Sequence, residues 1–381
     1  MPLGTRARCP TTNLALAGIV GPVWSEAARP YLKGWNMRGG TVARNRIAIQ
    51  RPSLGIALWG TQPIPTLVRQ VQLAERLGFE SVWVIDSQLI CREIFVTLAA
   101  CLASTTRIAL ATGVTQPLTR HVSVTASAIA TLDEMFPGRV LAGVGTGFSS
   151  LRTIGMAAAR ARELERFVLD LKALLRRDNV EFANGVRGGM AWLERACPVS
   201  VIVAASGPNT TRLAARIADG AILLQGIAQD LLDRGIGWLR DGAKQADRDF
   251  DELAITCWTP LGIGDTPAAG RDDVRARVAS AIMQTNPDWF EGEERQTIQQ
   301  LKASYQEYKH ASAQPEHAAL ISDRMVERYA VAGDAVEVSE RLAALMAHPR
   351  LDRIVLTPQG GAAALDEVLI ALERSVLGRL I

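Results

Sequence analysis

Polar and glycine-rich turns follow two apolar segments of this chain, and both turns contain residue types that bind small ligands. The segments 108–114 and 140–144 are short apolar runs bounded by turn residues, which is typical of strands buried on both faces. A helix is predicted between them, so the strands should run parallel and the turns 112–116 and 145–149 should emerge at one edge of a sheet. Because ligands bind at that carboxyl edge in parallel α/β folds, the sequence predicts a ligand site there.

Two further segments end at the same predicted edge. Asp86 directly follows the apolar run 81–85, and its carboxylate would either face a ligand or form a turn or helix cap. The segment 204–214, AASGPNTTRLA, places small residues before a helix whose free N–H groups attract an anion. A plain helix start with proline near its first position explains the same residues. Gln225 and Gly226, at the end of the neighbouring strand, favour the phosphate interpretation.

Several catalytic chemistries lack the residues they need. The four histidines show no metal-ligand spacing, no lysine ends a predicted strand, and there is no GxSxG elbow, so a metal site, a Schiff base and a serine nucleophile are not expected. Gly143, Gly145 and Gly147 form GxGxG rather than the GxGxxG of dinucleotide-binding proteins. By elimination, a bound organic cofactor is expected to carry any chemistry.

The composition excludes several classes of partner. The 42 basic and 39 acidic residues give a net charge of +3, so binding to nucleic acid is not expected. No apolar run is long enough to span a bilayer, and the apolar segment 14–24 is too interrupted by Gly and Pro for a signal peptide. Five scattered cysteines without a CxxC spacing predict a reduced, cytoplasmic protein.

Strands and helices alternate from residue 52 to the end of the chain. This alternation favours a (β/α)8 TIM barrel with insertions over an open doubly wound sheet. The polar segment 179–194 is expected to form a surface hairpin. The eight predicted strands are 54–58, 81–85, 108–114, 140–144, 199–204, 221–224, 254–262 and 353–357.

Two regions fall outside this alternation. Residues 1–51 show little periodicity, which predicts an N-terminal extension without regular structure before the barrel domain, 52–381. The segment of about 264–350 separates the last two strands by far more than one crossover needs, and it predicts an insertion with helices near 274–283 and 294–308. Lys309 and His310 in this insertion are candidates for a lid over an anionic cofactor tail.

Five segments of the chain resemble the bacterial luciferase-like family, in the same order along the sequence. The resemblance is greatest to the deazaflavin-dependent subset similar to methylenetetrahydromethanopterin reductases. The segments are VWVIDSQLICRE (82–93), the stretch 112–155 with TGVTQPLTRHVSV and GVGTGFSS, VAASGPNTTRLAARIADGAILLQG (203–226), the stretch 308–333 with YKHASAQPEH, and LDRIVLTPQGG (351–361).

The resemblance implies a barrel that holds FMN or coenzyme F420 at its carboxyl rim. It implies catalytic roles for Asp86 and His121, with Asp86 also beside the flavin, and a cis peptide bond between Gly113 and Val114 behind the ring. The other residues implied to bind the cofactor are Thr112, Thr115, Gly145 and Thr146 at the ring or side chain, and Ala205, Ser206, Gly207, Gln225 and Gly226 at the phosphate. Val122, Phe148, Ala311 and Cys91 depart from the family pattern and leave the substrate open.

The implied activity is hydride transfer between F420, the favoured cofactor, and a small organic substrate. Two alternatives stay open: an FMNH2-dependent monooxygenase that uses O2 and a separate flavin reductase, and a barrel that binds flavin without turnover. The resemblance also implies a homodimer or higher homo-oligomer.

Overall fold

The computed structural model describes residues 52–283, 285–304, 316–359 and 362–373, and for 362–364 the backbone alone. The predicted extension, 1–51, lies outside these residues, as do Lys309 and His310. The described strands, numbered in chain order, are β1 (Ser53–Trp59), β2 (Ser81–Ile85), β3 (Ala109–Thr112), β4 (Val140–Val144), β5 (Val180–Glu181), β6 (Arg187–Gly188), β7 (Val201–Ala205), β8 (Gly220–Leu223), β9 (Ala254–Ile263), β10 (Val331–Gly333) and β11 (Arg353–Pro358).

Twelve α-helices are described, and most of them follow a strand. They are α1 (Ile64–Arg76), α2 (Ile94–Ala103), α3 (Val122–Met135), α4 (Ser149–Arg152), α5 (Ala161–Leu175), α6 (Pro208–Ile217), α7 (Gln229–Gln245), α8 (Pro267–Ile282), α9 (Gly292–Ser304), α10 (Asp323–Tyr329), α11 (Ala335–Met346) and α12 (Ala362–Leu372).

Eight parallel strands close into a barrel in the order β1-β2-β3-β4-β7-β8-β9-β11, with β11 paired back to β1. The predicted (β/α)8 TIM barrel is therefore confirmed, and all eight predicted strands are present. β3 ends at Thr112, two residues before the predicted end, although Thr115 still pairs with Val144 of β4. The strand β10 pairs in parallel with the C-terminal end of β9, where Val331 lies opposite Leu261.

Alternation along each strand divides the core into two layers. Ile56 and Leu58 of β1 pack outward against the surrounding helices, whereas Ala57 between them points into the barrel. Both faces of the sheet are apolar, because side chains fill the barrel interior as they fill the layer between strands and helices. The strands consequently consist mainly of apolar runs, which is why their positions were predictable from the sequence.

Trp83 fills much of the barrel interior and is fully buried. Two glycines lie directly against it: a Cβ atom added to Gly143 would lie 3.0 Å from the Trp83 ring, and one added to Gly113 would lie 3.2 Å from Trp83 Cβ. The Trp83 indole N–H donates to Ser81 Oγ at 3.2 Å. Trp83, Trp258 and the apolar residues beside them thus form the packed base on which the rim residues rest.

Three helices of the insertion form a separate core. Buried residues of α8, α9 and α10 pack together in one cluster, with Val278, Ile298 and Met325 among them. The helix α11 differs, because its Val338 and Leu342 pack into the main cluster around the barrel. The part of the predicted insertion that forms its own core therefore ends before α11. The helix α11 packs on the barrel and leads into β11.

The predicted surface hairpin is also present. β5 and β6 pair antiparallel, with Val180 opposite Gly188. No helix in the described part of the chain is long and apolar enough to cross a membrane.

Glu75 near the end of α1 binds the connection between α2 and β3 through hydrogen bonds. The substitution Glu75→Gln is expected to weaken this attachment. Its Oε1 accepts the backbone N–H groups of Thr106, Arg107 and Ile108 at 2.9, 2.6 and 3.0 Å. Burial by itself would raise the pKa of Glu75, but these three donors outweigh it and hold the pKa below its ordinary value. We expect the substitution to lower the free energy of unfolding by about 1 kcal/mol at pH 7.

The pH dependence of this loss follows from the direction of the shift. A carboxyl whose pKa is lower in the folded chain stabilises it above the unfolded pKa of roughly 4.3. That contribution is lost as the pH falls through the folded value. Urea unfolding at pH 7 and pH 3 measures the difference, with Glu80→Gln as the matched surface control. A Glu75→Gln effect as large at pH 3 as at pH 7 would contradict this role.

Candidate active site

A cavity of about 220 Å³ opens at the carboxyl ends of the barrel strands. This is the rim where the sequence placed a ligand site. The structure brings six of the predicted site residues into its wall, namely Asp86, Gly113, Val114, Gly145, Thr146 and Ser206.

The ends of β3 and β4 form one wall of this cavity. The peptide bond between Gly113 and Val114 is cis, as the family resemblance implied. Gly145 lies against Val114, because a Cβ atom at Gly145 would come within 2.9 Å of Val114 Cγ2. This wall therefore presents a valine side chain beside glycine backbone, a flat and mainly apolar surface suited to an aromatic ring.

Thr112 and Thr115 support that wall from behind and are not among the residues that line the cavity. The Thr112 hydroxyl donates to the Gly143 carbonyl at 2.7 Å. Thr115 is fully buried, and its hydroxyl accepts a hydrogen bond from Arg120 at 3.4 Å. Both threonines hold β3 and β4 in register at the point where the strands end.

The predicted phosphate turn lies at another part of the rim. Ser206 and Thr210 line the cavity on either side of the start of α6. Gly207 is the N-cap residue of α6, and no side chain caps this helix end. The first-turn N–H groups consequently remain available to an anion, as expected for a phosphate site.

Ala205, Gln225 and Gly226 shape this turn without lining the cavity. The Gln225 amide N–H donates to the Ala205 carbonyl at 3.2 Å and to the Thr211 hydroxyl at 3.3 Å, so it links the end of β8 to α6. Gly226 adopts a φ of 109°, and a Cβ atom there would lie 2.9 Å from the Arg328 carbonyl. These residues connect the turn to the insertion.

Asp86 is held by an ion pair that the sequence did not indicate. Arg120 Nη1 lies 2.7 Å from Asp86 Oδ2, and Arg120 Nη2 lies 2.9 Å from Glu93 Oε1. Burial by itself would lower the pKa of Arg120, but the hydrogen bond and charge of Asp86, and then of Glu93, raise the pKa above its ordinary value. Gln88 also donates to Asp86 Oδ1 at 3.1 Å. The carboxylate is therefore paired and oriented at the rim.

His121 lies outside the cavity wall. It is exposed, it caps α3 by accepting the Ser123 N–H at 3.3 Å, and its ring packs 5.0 Å from the ring of Phe182 in the hairpin. The structure therefore separates His121 from the residues with which the resemblance grouped it.

Many residues that line the cavity were not among the predicted site residues, and five of these are Trp59, Phe148, Trp258, Arg277 and Thr357. Trp59 and Thr357 occupy the ends of two barrel strands, so the rule that identified Asp86 applied to them as well. Phe148 follows the glycine-rich turn, with the Arg152 guanidinium 5.2 Å from its ring centre. Trp258 within β9 and Arg277 within α8 carried no local signal, because a mid-strand or mid-helix position does not reveal which wall a side chain reaches.

The insertion also contacts the phosphate turn directly. A Cβ atom on Gly207 would lie 2.7 Å from Trp289 Cη2, so the indole covers this glycine. Trp289 packs against Trp238 of α7 with ring centres 5.5 Å apart. Arg234 donates to the Trp289 carbonyl at 3.3 Å, and its guanidinium lies 5.0 Å from the Phe290 ring centre. Aromatic packing thus attaches this part of the insertion beside the turn.

Curated proteins that are similar in sequence to this chain include a reductase and a dehydrogenase. A 5,10-methylenetetrahydromethanopterin reductase from Methanolobus tindarius is 27% identical over 245 residues, which cover 62% of this chain and 73% of the reductase. An F420-dependent glucose-6-phosphate dehydrogenase from Nakamurella multipartita is 38% identical over 198 residues, 47% of this chain and 58% of the dehydrogenase. The chain therefore spans less than two thirds of the length of that dehydrogenase.

The fold and the sequence pattern agree with these similarities. The structure of the F420-dependent tetrahydromethanopterin reductase from Methanopyrus kandleri superposes with a TM-score of 0.69 at 21% identity, covering 86% of this chain and 99% of that one. At this identity the likeness concerns the fold. The sequence pattern of luciferase-like monooxygenases matches residues 37–352, most of the chain. Together with the closed barrel and its rim cavity, this match shows that the chain belongs to the luciferase-like monooxygenase family.

Proposed function

We propose that this protein is an oxidoreductase that transfers a hydride between coenzyme F420 and a small organic substrate. One observation carries the proposal: a single cavity joins the flat wall at Val114 and Gly145 to the uncapped start of α6 at Ser206. A deazaflavin or flavin cofactor has matching parts, an aromatic ring and a phosphate on a flexible chain. When bound, F420 supplies a ring carbon that accepts or donates a hydride.

The protein's own contribution is to bind and orient. Val114 and Gly145 support the ring, while Ser206, Thr210 and the first N–H groups of α6 hold the phosphate. Gly207 allows the Trp289 indole to pack against the start of α6, since any larger residue would displace Trp289. Phe148, Trp59 and Trp258 add aromatic surface that excludes water from the reacting atoms.

Asp86 is assigned to orient the substrate or the ring at the same rim. The carboxylate side chain is 2% exposed, and Arg120 fixes it by a direct ion pair. A paired carboxylate that lines the cavity is a fixed hydrogen-bond acceptor. We do not include His121 among the residues that face the cofactor.

F420 is favoured over FMN because the curated relatives named above are F420 enzymes or reductases of a pterin substrate. The family description, a monooxygenase, keeps the FMNH2-dependent reaction with O2 as the second candidate. That reaction would require a separate flavin reductase to supply FMNH2. The protein acts on a small molecule in either case.

A homo-oligomer and a cytoplasmic location also belong to this proposal. The homo-oligomer is what the resemblance to the luciferase-like family implies. The four cysteines within the described residues are free thiols, which suits a reducing compartment. Light scattering of the purified protein measures the oligomeric state, and cell fractionation tests the cytoplasmic location.

Cofactor titration tests the proposed function. We expect F420 to bind at least about tenfold more tightly than FMN, measured by the change in cofactor fluorescence. Gly207→Ala is expected to weaken F420 binding by about tenfold, because the added methyl group forces Trp289 away from the turn. Gly237→Ala is the matched control, because a Cβ atom there meets nothing within 4 Å.

The outcomes separate the candidates. Tighter binding of FMN, with O2 consumption on addition of FMNH2, would replace the F420 assignment with the monooxygenase. Equal F420 affinity in Gly207→Ala and Gly237→Ala would exclude the start of α6 as the phosphate site. Binding of neither cofactor by the wild-type chain would refute the proposed function.

A further inference from the structure

Two serine hydroxyls join the segments that follow β2 and β4, and one of them lies in the cavity wall. Ser87 directly follows Asp86 in the chain, and its Oγ lies 2.8 Å from the Oγ of Ser149. Ser149 is 8% exposed and lines the cavity, whereas Ser87 is 1% exposed and lies behind the lining residues. The pair of hydroxyls therefore leads from the protein interior to the cavity.

Burial determines which serine donates in this hydrogen bond. Each hydroxyl has one hydrogen, and the bond between them uses only one of the two. Within the described part of the chain, Ser149 is the only hydrogen-bond partner of the Ser87 hydroxyl. If Ser149 donated, the hydrogen of Ser87 would be buried without an acceptor, which is unfavourable. Ser87 therefore donates to Ser149, and the hydrogen of Ser149 remains for an acceptor in the cavity.

The short helix that begins at Ser149 is held by a second contact with the segment after β2. The Thr153 hydroxyl donates to the backbone carbonyls of Gln88 and Ser149, at 2.9 and 2.8 Å. Thr153 is buried but is not among the residues that line the cavity. Contacts at both ends of α4 thus fix the position of Ser149, so its hydroxyl is a preorganised hydrogen-bond donor.

Ser149 and Asp86 offer opposite kinds of hydrogen bond to a ligand in the cavity. The Asp86 carboxylate can only accept, and Arg120 already pairs with it at 2.7 Å. Ser149 donates, and the hydrogen bond that it receives from Ser87 polarises its O–H bond and strengthens that donation. The wall beside Asp86 therefore contains a donor suited to an oxygen that carries, or gains, negative charge.

We propose that Ser149 donates a hydrogen bond to the carbonyl oxygen of the substrate, so that this enzyme interconverts an aldehyde or ketone and the corresponding alcohol. Negative charge develops on that oxygen as a hydride adds to the carbonyl carbon, and a fixed donor beside it lowers the barrier. Ser87 is a positioning residue, because it acts through Ser149. This role rests on the proposed function, in which F420 supplies the hydride.

The reaction balances with that cofactor. A hydride from reduced F420 adds with its electron pair to the carbonyl carbon, and the π electron pair of the C=O bond moves onto the oxygen. That oxygen takes a proton from water, and one proton passes from the cofactor to water. A carbonyl compound and F420H2 thus become an alcohol and F420, and oxidation of the alcohol is the reverse reaction.

Reduction of carbonyl probes by the full chain tests the substrate class. The probes are butanal, butan-2-one, benzaldehyde and acetophenone, each added with F420H2, and the readout is the return of the visible absorption of oxidised F420. We expect enzyme-dependent reduction of at least one probe, with the matching alcohol as the product. A wild-type chain that binds F420 but reduces none of the four probes would overturn the proposal.

Three variants test the two serines. Ser149→Ala is expected to lower kcat by about a hundredfold, with unchanged F420 affinity and melting temperature. Ser87→Ala leaves the Ser149 hydroxyl but removes the group that orients it, so kcat is expected to fall by about tenfold. Thr153→Val is the matched control, because it removes the other contact between the same two segments and leaves Ser149 intact. Its kcat should stay within about threefold of the wild type.

F420 affinity, measured by cofactor fluorescence on the same variants, identifies which carbonyl group Ser149 binds. The deazaflavin ring also carries carbonyl groups, so an F420 affinity that falls in Ser149→Ala would assign the hydroxyl to the cofactor and overturn the proposal. An unchanged kcat in Ser149→Ala would overturn it too, as would an equal loss in Thr153→Val, which would show that only the packing of α4 matters. Failure of the proposed function appears separately, as a wild-type chain that binds neither F420 nor FMN.

Discussion

Arg120→Met is expected to lower the free energy of unfolding by about 3 kcal/mol, the cost of leaving a buried carboxylate without its counter-charge. Asp86 is 2% exposed in its side chain, and after the substitution the hydrogen bond from Gln88 is the only one left to it within the described part of the chain. Urea unfolding at pH 7 measures the loss. Hydride transfer should fall as well, because Asp86 would no longer be held in one orientation at the rim.

A double variant separates the two effects. In Asp86→Asn with Arg120→Met, no buried charge is left unpaired, because Glu93, the other partner of Arg120, is half-exposed to solvent, so at least half of the lost stability should return. Turnover should stay low, since the carboxylate itself is gone. A double variant as unstable as Arg120→Met alone would show that the loss comes from packing of Arg120, whose guanidinium also lies 5.4 Å from the Phe95 ring centre.

Gly143→Ala is expected to have the second large effect and to prevent normal folding. A Cβ atom on Gly143 would lie 2.1 Å from the Thr112 carbonyl oxygen, a backbone atom of the neighbouring strand. β3 and β4 would have to separate where Thr112 donates to the Gly143 carbonyl. We expect a loss of more than about 3 kcal/mol, seen as low soluble yield and a lower melting temperature.

Gly145→Ala, two residues further along, is the matched control. Its nearest neighbour would be Val114 Cγ2 at 2.9 Å, a side-chain atom that can shift, and the next is Ala204 Cβ at 3.6 Å. Stability should fall by less than about 1.5 kcal/mol, while F420 affinity falls because a methyl group enters the cavity wall. Similar melting temperatures for the two variants would contradict the close approach of β3 and β4.

The barrel could be predicted from the sequence because each of its elements is encoded locally. Continuous apolar runs marked strands buried on both faces, and a helical stripe such as Val122, Ala126 and Ile129 marked the helix between two of them. The residues at the rim could be predicted from the same order of elements, because the carboxyl ends of all strands in a parallel barrel lie on one side. Asp86, Gly145 and Ser206 were therefore placed at the rim by position alone.

The partners of those residues depended on the tertiary structure. Arg120 reaches Asp86 across 34 positions in the chain, and Arg277 reaches Gln359 across 82. Trp289 covers Gly207 although two barrel strands and three α-helices lie between them in sequence. His121 shows that a sequence resemblance does not fix a position either. It lies in a segment that resembles the family, and yet the structure places it on the surface beside Phe182.

The sequence by itself thus determined which segments form the barrel and which turns meet at its rim, because burial on one or both faces leaves a periodic pattern in neighbouring residues. Closure of the barrel and packing of α8 and the 287–290 segment against its rim decided which side chains face the cavity. Contacts of that kind depend on the distance between elements far apart in the chain. No local pattern encodes that distance, so the charge pairing of Asp86 and the position of Arg277 emerged only from the folded protein.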